Sequence, residues 1–390
     1  MNQDIPQIGF EPSEFALRTK RAQHLMRKLD VDGLLLTTEP EVRYFSGFHT
    51  AFWLSPTRPW FLVVPREGKP IAVIPEIGGA RMNDTWLEDI VTWPAPRPND
   101  EGITELTATI KRLKKISGVI GVPMGTESHI RMPFSDFKKL QGNIRGIQLI
   151  DATPLIQELR KIKSEAEISK IRYICQRVSE GFLELPKIAN LGDEEKEIFR
   201  KFRVDLLGRG ADEVPYLVGG SGPNGPTEVI GMPSNRIVTK GDMLMMDTGA
   251  VFDGYFSDFD RNFCFGCVDE TVAAAYDVVY RATDAGLEAA RPGITAEGLW
   301  KVMADILNES TPSTNAVGRL GHGLGMQLTE WPSNMKGDKT VMQPGMVMTL
   351  EPCIEFADGR IMVHEENIVI RDGEPELLSI RAPSEIPLIY

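Results

Sequence analysis

The sequence predicts two domains of different architecture, an α/β domain over residues 1–158 followed by an α+β domain over residues 159–390. Three observations carry that expectation. A chain of 390 residues exceeds what one hydrophobic core usually holds. Its first half alternates helical apolar spacing with short apolar runs, the texture of helices layered on a sheet. Its second half turns to longer helical patterns and to strand pairs punctuated by Asp-Gly turns.

From Pro12 to Leu29 the apolar residues Phe15, Leu17, Ala22, Leu25, Met26 and Leu29 recur at helical spacing, and Gly33 follows near the expected stop. Leu34–Thr37, Trp60–Val64, Ile71–Ile74 and Val119–Val122 read as strands, interleaved with helical patterns such as Ile103–Leu113. Leu159–Phe182 is charged and amphipathic and reads as a helix joining the domains, with Ser164 as N-cap and Glu167 completing a capping box. Further helices are expected at Glu194–Leu207, Glu270–Ala290 and Ala296–Leu307. Asp253-Gly254, Asp358-Gly359 and Asp372-Gly373 favour hairpin turns between the remaining strand runs.

With 42% apolar and 25% charged residues, the composition is that of an ordinary globular protein. A formal charge of -12 argues against nucleic acid and anionic membranes as partners. Met1–Phe15 has no basic stretch followed by an apolar run, and no segment approaches the about 18 apolar residues of a membrane span, so a cytoplasmic protein is expected. Cys175, Cys264, Cys267 and Cys353 are too scattered for a disulfide framework. Cys264 and Cys267 form a C-x-x-C within an apolar, strand-like run with no second pair, so two buried thiols are expected there.

Gly241–Gly266 reads as two apolar arms around a turn near Asp253-Gly254, interrupted by Asp247, Asp258 and Asp260. A two-residue turn at Asp253-Gly254 puts Asp247 opposite Asp260; a register centred one residue earlier puts it opposite Asp258. Asp258 and Asp260 share a face in either case. Met346–Ile370 repeats the arrangement. A three-residue loop Ala357-Asp358-Gly359 sets Glu351 against Glu365, whereas a two-residue turn presents Glu366. A single charged hairpin is ordinarily a solvated face. Here the acids sit among Met, Leu, Val and Phe, where unpaired carboxylates are costly to bury and repel one another unless a cation holds them. Hard divalent metals are the usual cation.

Five histidines can be weighed singly. His24 falls in the first helix, His129 in a loop-like segment, and neither has a supporting neighbourhood. His322 stands in Gly-His-Gly-Leu-Gly, where three glycines remove bulk around one imidazole and permit close backbone approach. Beside the acidic hairpins it is a candidate metal ligand.

These residues resemble the creatinase, aminopeptidase P and prolidase superfamily, whose catalytic domain has the pita-bread fold. The likeness runs from Arg160-x-x-Lys163-Ser164-x-x-Glu167-Ile168 to Asp372-Gly373, and the first half resembles the creatinase-type N-terminal domain. In the metallopeptidase branch, five ligands follow in order as Asp, Asp, His within Gly-His-Gly-x-Gly, Glu before Pro, and a final Glu. Asp247, Asp258, His322, Glu351 (before Pro352) and Glu365 match all five. The resemblance thus settles the two ambiguous registers, choosing Asp258 over Asp260 and Glu365 over Glu366. It implies two Mn, Co, Zn or Fe ions bridged by Asp258 and Glu365, with Asp247 on one ion, His322 and Glu351 on the other, and Glu351 moving the proton. It also implies a homodimer.

Two departures bear on the substrate. The family's peptidases usually carry two more histidines, at positions where this chain has Thr329 and Ile230 or a neighbour of it. Glu330, Trp331 and Asp260 are candidate replacements, Asp260 standing where a threonine is usual, and Trp53 in the aromatic loop of the first domain is a further candidate substrate contact. The implied activity is metal-dependent hydrolysis of a C–N amide bond in a small substrate, an Xaa-Pro dipeptide by default. The alternative is a non-peptide solute enzyme like creatinase, ectoine hydrolase or the superfamily's dimethylsulfoniopropionate lyase. A non-catalytic binding module is the third reading.

Overall fold

The computed structural model describes residues 5–113, 116–310, 318–357 and 359–390. Contacts divide the chain into two compact units, Gln7–Arg160 and Lys161–Tyr390, the latter with Ile5 and Pro6. No helix among the described residues is long and apolar enough to cross a membrane.

The N-terminal unit holds one six-stranded sheet. Its strands are β1 Gly33–Leu36, β2 Phe61–Pro65, β3 Ile71–Pro75, β4 Asp89–Trp93, β5 Val119–Val122 and β6 Gln148–Asp151, in the order β4-β3-β2-β1-β5-β6. The β1/β2 and β2/β3 pairs are antiparallel and the other three parallel. β1, β2 and β3 are buried along their whole length, as unbroken apolar runs require when both sheet faces are covered. Helices α1 Pro12–Lys28, α2 Glu39–Ser46, α3 Gly79–Asn83, α4 Ile103–Arg112, α5 Phe134–Asn143 and α6 Thr153–Arg160 complete the unit. One core cluster joins Leu35, Phe61, Val63 and Trp93 of the sheet to Leu106, Ile110 and Leu140 of the helices.

The C-terminal unit opens with α7 Glu165–Ile188. Its capping box forms as expected: Glu167 N–H donates to Ser164 Oγ while the Glu167 carboxylate accepts from Ser164 N–H. Just before the cap, Lys163 N–H donates to Gly345 O at 2.9 Å and Ile162 bridges Met346, so this stretch is sheet-like. α8 Glu195–Gly208 follows.

Two five-stranded sheets and a hairpin make the rest. β7 Glu213–Pro223, β8 Asp242–Phe252, β9 Tyr255–Phe256, β10 Phe259–Phe265 and β18 Leu388–Ile389 form one sheet, with β8 between β7 and β10. β11 His322–Gly323, β12 Glu330–Ser333, β13 Val347–Leu350, β16 Glu366–Val369 and β17 Glu376–Leu377 form the other, and β14 Cys353–Phe356 pairs with β15 Arg360–Val363. Helices α9 Glu270–Ala289 and α10 Ala296–Ser310 set Val279, Ala282, Leu299 and Met303 into one core with Met348, Leu350 and Met362. Lys170 of α7 pairs with Asp253 in the β8–β9 turn, both side chains buried.

One expectation fails at the C-x-x-C. Cys264 is buried, but Cys267 is exposed. β10 ends at Phe265, and Gly266, with φ of 71°, turns the chain out of the sheet before Cys267 is reached.

Removing the cap hydroxyl of α7 in Ser164→Ala should lower unfolding stability by about 1 kcal/mol, read from the urea midpoint at unchanged slope.

Candidate active site

The first acidic hairpin turns at Asp253-Gly254, with φ of 47° and 80°, the left-handed pair that a two-residue type I′ turn needs. The register follows: Phe252 faces Tyr255 and Asp247 faces Asp260. The register chosen on resemblance, with Asp258 opposite Asp247, does not form, because the turn is centred on Asp253-Gly254 and not one residue earlier. Between β9 and β10, Ser257 N–H still donates to Ala250 O at 2.9 Å, and Asp258 is held from the other sheet. Its N–H donates to Asn367 Oδ1 at 2.9 Å and its carbonyl accepts from Asn367 Nδ2.

In the second pair, Leu350 faces Glu366 and Phe356 faces Arg360. Both stretches share the register that sets Glu351 against Glu365 and leaves three residues in the loop, with Gly359 at φ 76°. Asp358 lies outside the described residues. Glu366 is engaged elsewhere. Its carboxylate accepts from Arg261 Nη2 at 2.9 Å, Arg381 Nη1 at 3.2 Å, Ala382 N–H at 3.0 Å and the Ser379 hydroxyl. Glu365 Oε1, in contrast, is buried without a hydrogen-bond partner.

His322 sits where backbone crowds it. A Cβ on Gly321 would lie 2.2 Å from Thr349 O, and Gly321 itself has φ of 134°. A Cβ on Gly323 would lie 2.6 Å from Trp331 O, and one on Gly325 2.6 Å from Glu330 Oε1. Backbone atoms thus require glycine at 321 and 323, while at Gly325 the neighbour is a side-chain carboxylate. His322 Nδ1 donates to Gly323 O at 2.9 Å, which leaves the Nε2 lone pair aimed at Asp258 Oδ2 (3.4 Å) and Glu351 Oε2 (3.8 Å). Fixing one ring nitrogen so that the other can ligate is the usual arrangement of a metal-binding imidazole.

Asp258, His322 and Glu365 each offer a ligand atom within 4.8 Å of the others. Burial pushes the carboxyls of Asp258 and Glu365 well above the usual range, and the charges of Asp247 and Glu351 on both, with that of Asp258 on Glu365, push them further. Burial raises Asp247 to about 6, against a hydrogen bond from Tyr216. Burial also raises Glu351 to about 7, opposed by Arg319, whose Nε lies 3.9 Å from Glu351 Oε1. His322 falls to about 4, from burial and then Arg319. Asp247 Oδ1, like Glu365 Oε1, is buried and unpartnered. An oxygen-rich cluster with orphaned acceptors and one oriented imidazole fits a divalent metal of the first transition row.

The other expected residues fall as follows. Thr329 is half-buried and accepts from Arg319 Nη2 at 3.4 Å. Trp331 is half-buried, with Lys161 Nζ 5.7 Å from its ring centroid. Glu330 pairs with buried Lys163 at 3.1 Å. Ile230 is 71% exposed. Trp53 belongs to the N-terminal unit, where it is buried against Trp60 and beneath the Arg131 guanidinium. His364 lies buried among Thr283, Tyr276, Tyr280 and Arg381, a packing role.

Arg319 and Tyr216 were missed. Arg319 stands three residues before His322 as a lone cation in a glycine-rich run, a local signal that could have been read. Tyr216 reaches Asp247 only through the β7–β8 pairing, which nothing near it in sequence announces.

The model of metallopeptidase family M24 matches residues 169–372, more than half the chain, and that of the creatinase/prolidase N-terminal domain matches 18–162. The chain belongs to metallopeptidase family M24. As a member of that family it is a metallohydrolase that uses divalent metal, and its architecture is the creatinase-type N-terminal domain followed by the pita-bread catalytic domain. It is similar to a probable dipeptidase PepE of Mycobacterium tuberculosis, 27% identical over 97% of this chain and 98% of that one. The Xaa-Pro dipeptidase of Pyrococcus horikoshii is 26% identical over 92% and 96%. Among solved structures, a prolidase from Thermococcus sibiricus superposes with a TM-score of 0.86 at 25% identity, covering 96% of this chain and 99% of that one. Dipeptidase PepE from Mycobacterium ulcerans superposes with 0.85 at 24% identity, covering 98% and 99%.

The acids set a pH signature. Asp247, Asp258, Asp260, Glu351 and Glu365 keep their protons to higher pH in the fold than in the unfolded chain. Each contributes stability below the unfolded value of about 4 that is lost as pH rises through the folded one. His322 and His364, lowered in the fold, act in the opposite sense up to about pH 6.5, but two imidazoles oppose five acids. The metal-stripped protein should therefore melt at lower temperature near neutral pH than at about pH 5, as calorimetry across that range would register.

Proposed function

We propose that the chain is a dinuclear peptidase acting on small substrates, with Xaa-Pro dipeptides as the default. The observation that carries this reading is the convergence of Asp258, His322 and Glu365 beside Asp247 and Glu351, with buried acceptor oxygens left unpaired. The dipeptidase names of relatives similar over nearly their whole length support the substrate class. Asp247, Asp258, His322, Glu351 and Glu365 would hold two ions of Mn, Co, Zn or Fe, whose charge four carboxylates balance. Bound there, such a pair supplies Lewis acidity toward an amide oxygen and activates water at neutral pH.

The chain's own groups do the rest. Glu351 carries the proton: it is the acid of the set with a solvent path, its side chain 16% exposed, and its raised carboxyl suits exchange near neutral pH. Arg319, beside Glu351 and Thr329, takes up negative charge developing on the substrate, a task the family's peptidases give to histidine. Thr329 and Trp331 line the substrate side, whereas Trp53, buried against Trp60 and beneath Arg131, is taken up by packing within the N-terminal unit. A homodimer in the cytoplasm completes the proposal, the latter resting on four free cysteines.

A non-peptide solute is the second reading, favoured by Thr329 and exposed Ile230 at the positions where histidine is expected. Metal analysis followed by assay on Xaa-Pro dipeptides with added Mn or Co separates the two. Bound metal without dipeptide turnover selects the solute enzyme; no bound metal and no metal response sinks the dinuclear peptidase.

Glu351→Gln should lower kcat by roughly 10²- to 10⁴-fold while the protein still unfolds cooperatively. Full activity in that variant would remove Glu351 from the proton path. Arg319→Met should lower kcat by about 10²- to 10³-fold with a smaller change in KM, and Arg319→Lys should recover part of the loss.

A further inference from the structure

A fifth acid stands at the site without an assigned task. Asp260 is directly opposite Asp247 in the β8/β10 ladder, so their side chains leave the sheet on one face with Cβ atoms about 5 Å apart. Asp260 is 1% exposed. Asn262 Nδ2 donates to Asp260 Oδ2 at 2.9 Å and to Val363 O at 2.6 Å, so one carboxylate oxygen is tied through an amide to β15. The other oxygen, Oδ1, is buried and has no hydrogen-bond partner.

The neighbouring Arg261 makes no hydrogen bond to the Asp260 carboxylate. Arg261 Nη1 donates to the carbonyls of Asp260 and Glu365, at 2.7 Å each, and Nη2 to Glu366 and Ile380 O, so its hydrogen bonds go to Asp260's main chain and not to its carboxylate. A buried carboxylate oriented by one oxygen, with the second orphaned beside Asp247, is otherwise a large uncompensated penalty.

We propose that Asp260 is a sixth protein ligand, adding its Oδ1 to the divalent ion held at the Asp247 end of the site. The proposal rests on the metal reading above. Asp247 and Asp260 make that end rich in carboxylate oxygen, whereas the other end carries the His322 imidazole. Hard oxygen donors suit Mn(II) better than softer, nitrogen- or sulfur-seeking ions. The two positions should therefore differ in metal preference, with Asp260 the reason that one retains manganese against zinc. This assigns Asp260 to the metal and not to the substrate.

The test is manganese and zinc binding to the full-length protein, by calorimetry and metal analysis after dialysis, for the wild type, Asp260→Asn and Asp260→Thr. Expected is a wild type with two manganese sites, one of which weakens by on the order of ten- to a hundredfold in both variants while its preference moves toward zinc. Thermal melting supplies a readout that a merely structural role would not produce. Removing one of several crowded carboxylates should raise the melting temperature of metal-stripped protein and shrink the gain on adding manganese. Variants that bind both ions as the wild type does, or that melt lower both with and without metal, overturn the assignment. A wild type that binds no metal overturns the underlying metal reading and this inference with it.

Discussion

The constraint on which the C-terminal unit depends is the mutual repulsion of acids buried at one point. Asp247, Asp258, Asp260 and Glu365 are each less than a tenth exposed. Carboxylates crowded in this way disperse if their backbone is free to move, so the surrounding chain must hold them against their own field. It does so mainly with uncharged groups. Asn367 braces the main chain of Asp258 from the neighbouring sheet, Asn262 pins Asp260, and the glycines around His322 let strand backbones approach to distances that any Cβ would forbid.

The alternation of neighbouring side chains across a strand then sorts charge into two compartments. Glu365 faces the acid cluster, while Glu366, one residue on, faces a cationic compartment of Arg261 and Arg381. Two adjacent glutamates thus meet opposite fates: one keeps a buried oxygen without a hydrogen-bond partner, the other is saturated by guanidinium, hydroxyl and backbone donors. Arg261 serves both sides of this partition, since it grips Glu366 by its carboxylate and Glu365 by its carbonyl. The partition is a property of the period-two strand and needs no special residue beyond the arginines.

Much of this was legible in the chain. The capping box at Ser164 and Glu167, the Asp253-Gly254 turn and the glycine frame of His322 are local signals whose physical cause lies within a few residues of them. Hairpin registers were legible only as alternatives, because a turn of two or three residues decides which acids oppose, and resemblance rather than geometry chose among them. The structure gives a reason why Asp260 opposes Asp247 while Asp258 meets His322 and Glu365: the Asp253-Gly254 turn sets one register along β8, and a side chain from another sheet captures Asp258. Such a long-range capture leaves no trace in spacing. Tyr216 was hidden for the same reason, and Cys267 was misjudged because one left-handed glycine ended the strand early.

The bond pattern of Asn367 has a further meaning. Its amide gives and accepts one hydrogen bond each with the peptide of Asp258, so a neutral side chain stands in for a missing rung between two sheets. An amide does not titrate, does not exchange with solvent ions and has no preference among metals. The spacing of the two sheets is therefore written in a material indifferent to everything the site is built to respond to. Loading, stripping or swapping ions can alter the charge inside the cluster while leaving the distance between its walls to a group that registers none of those events.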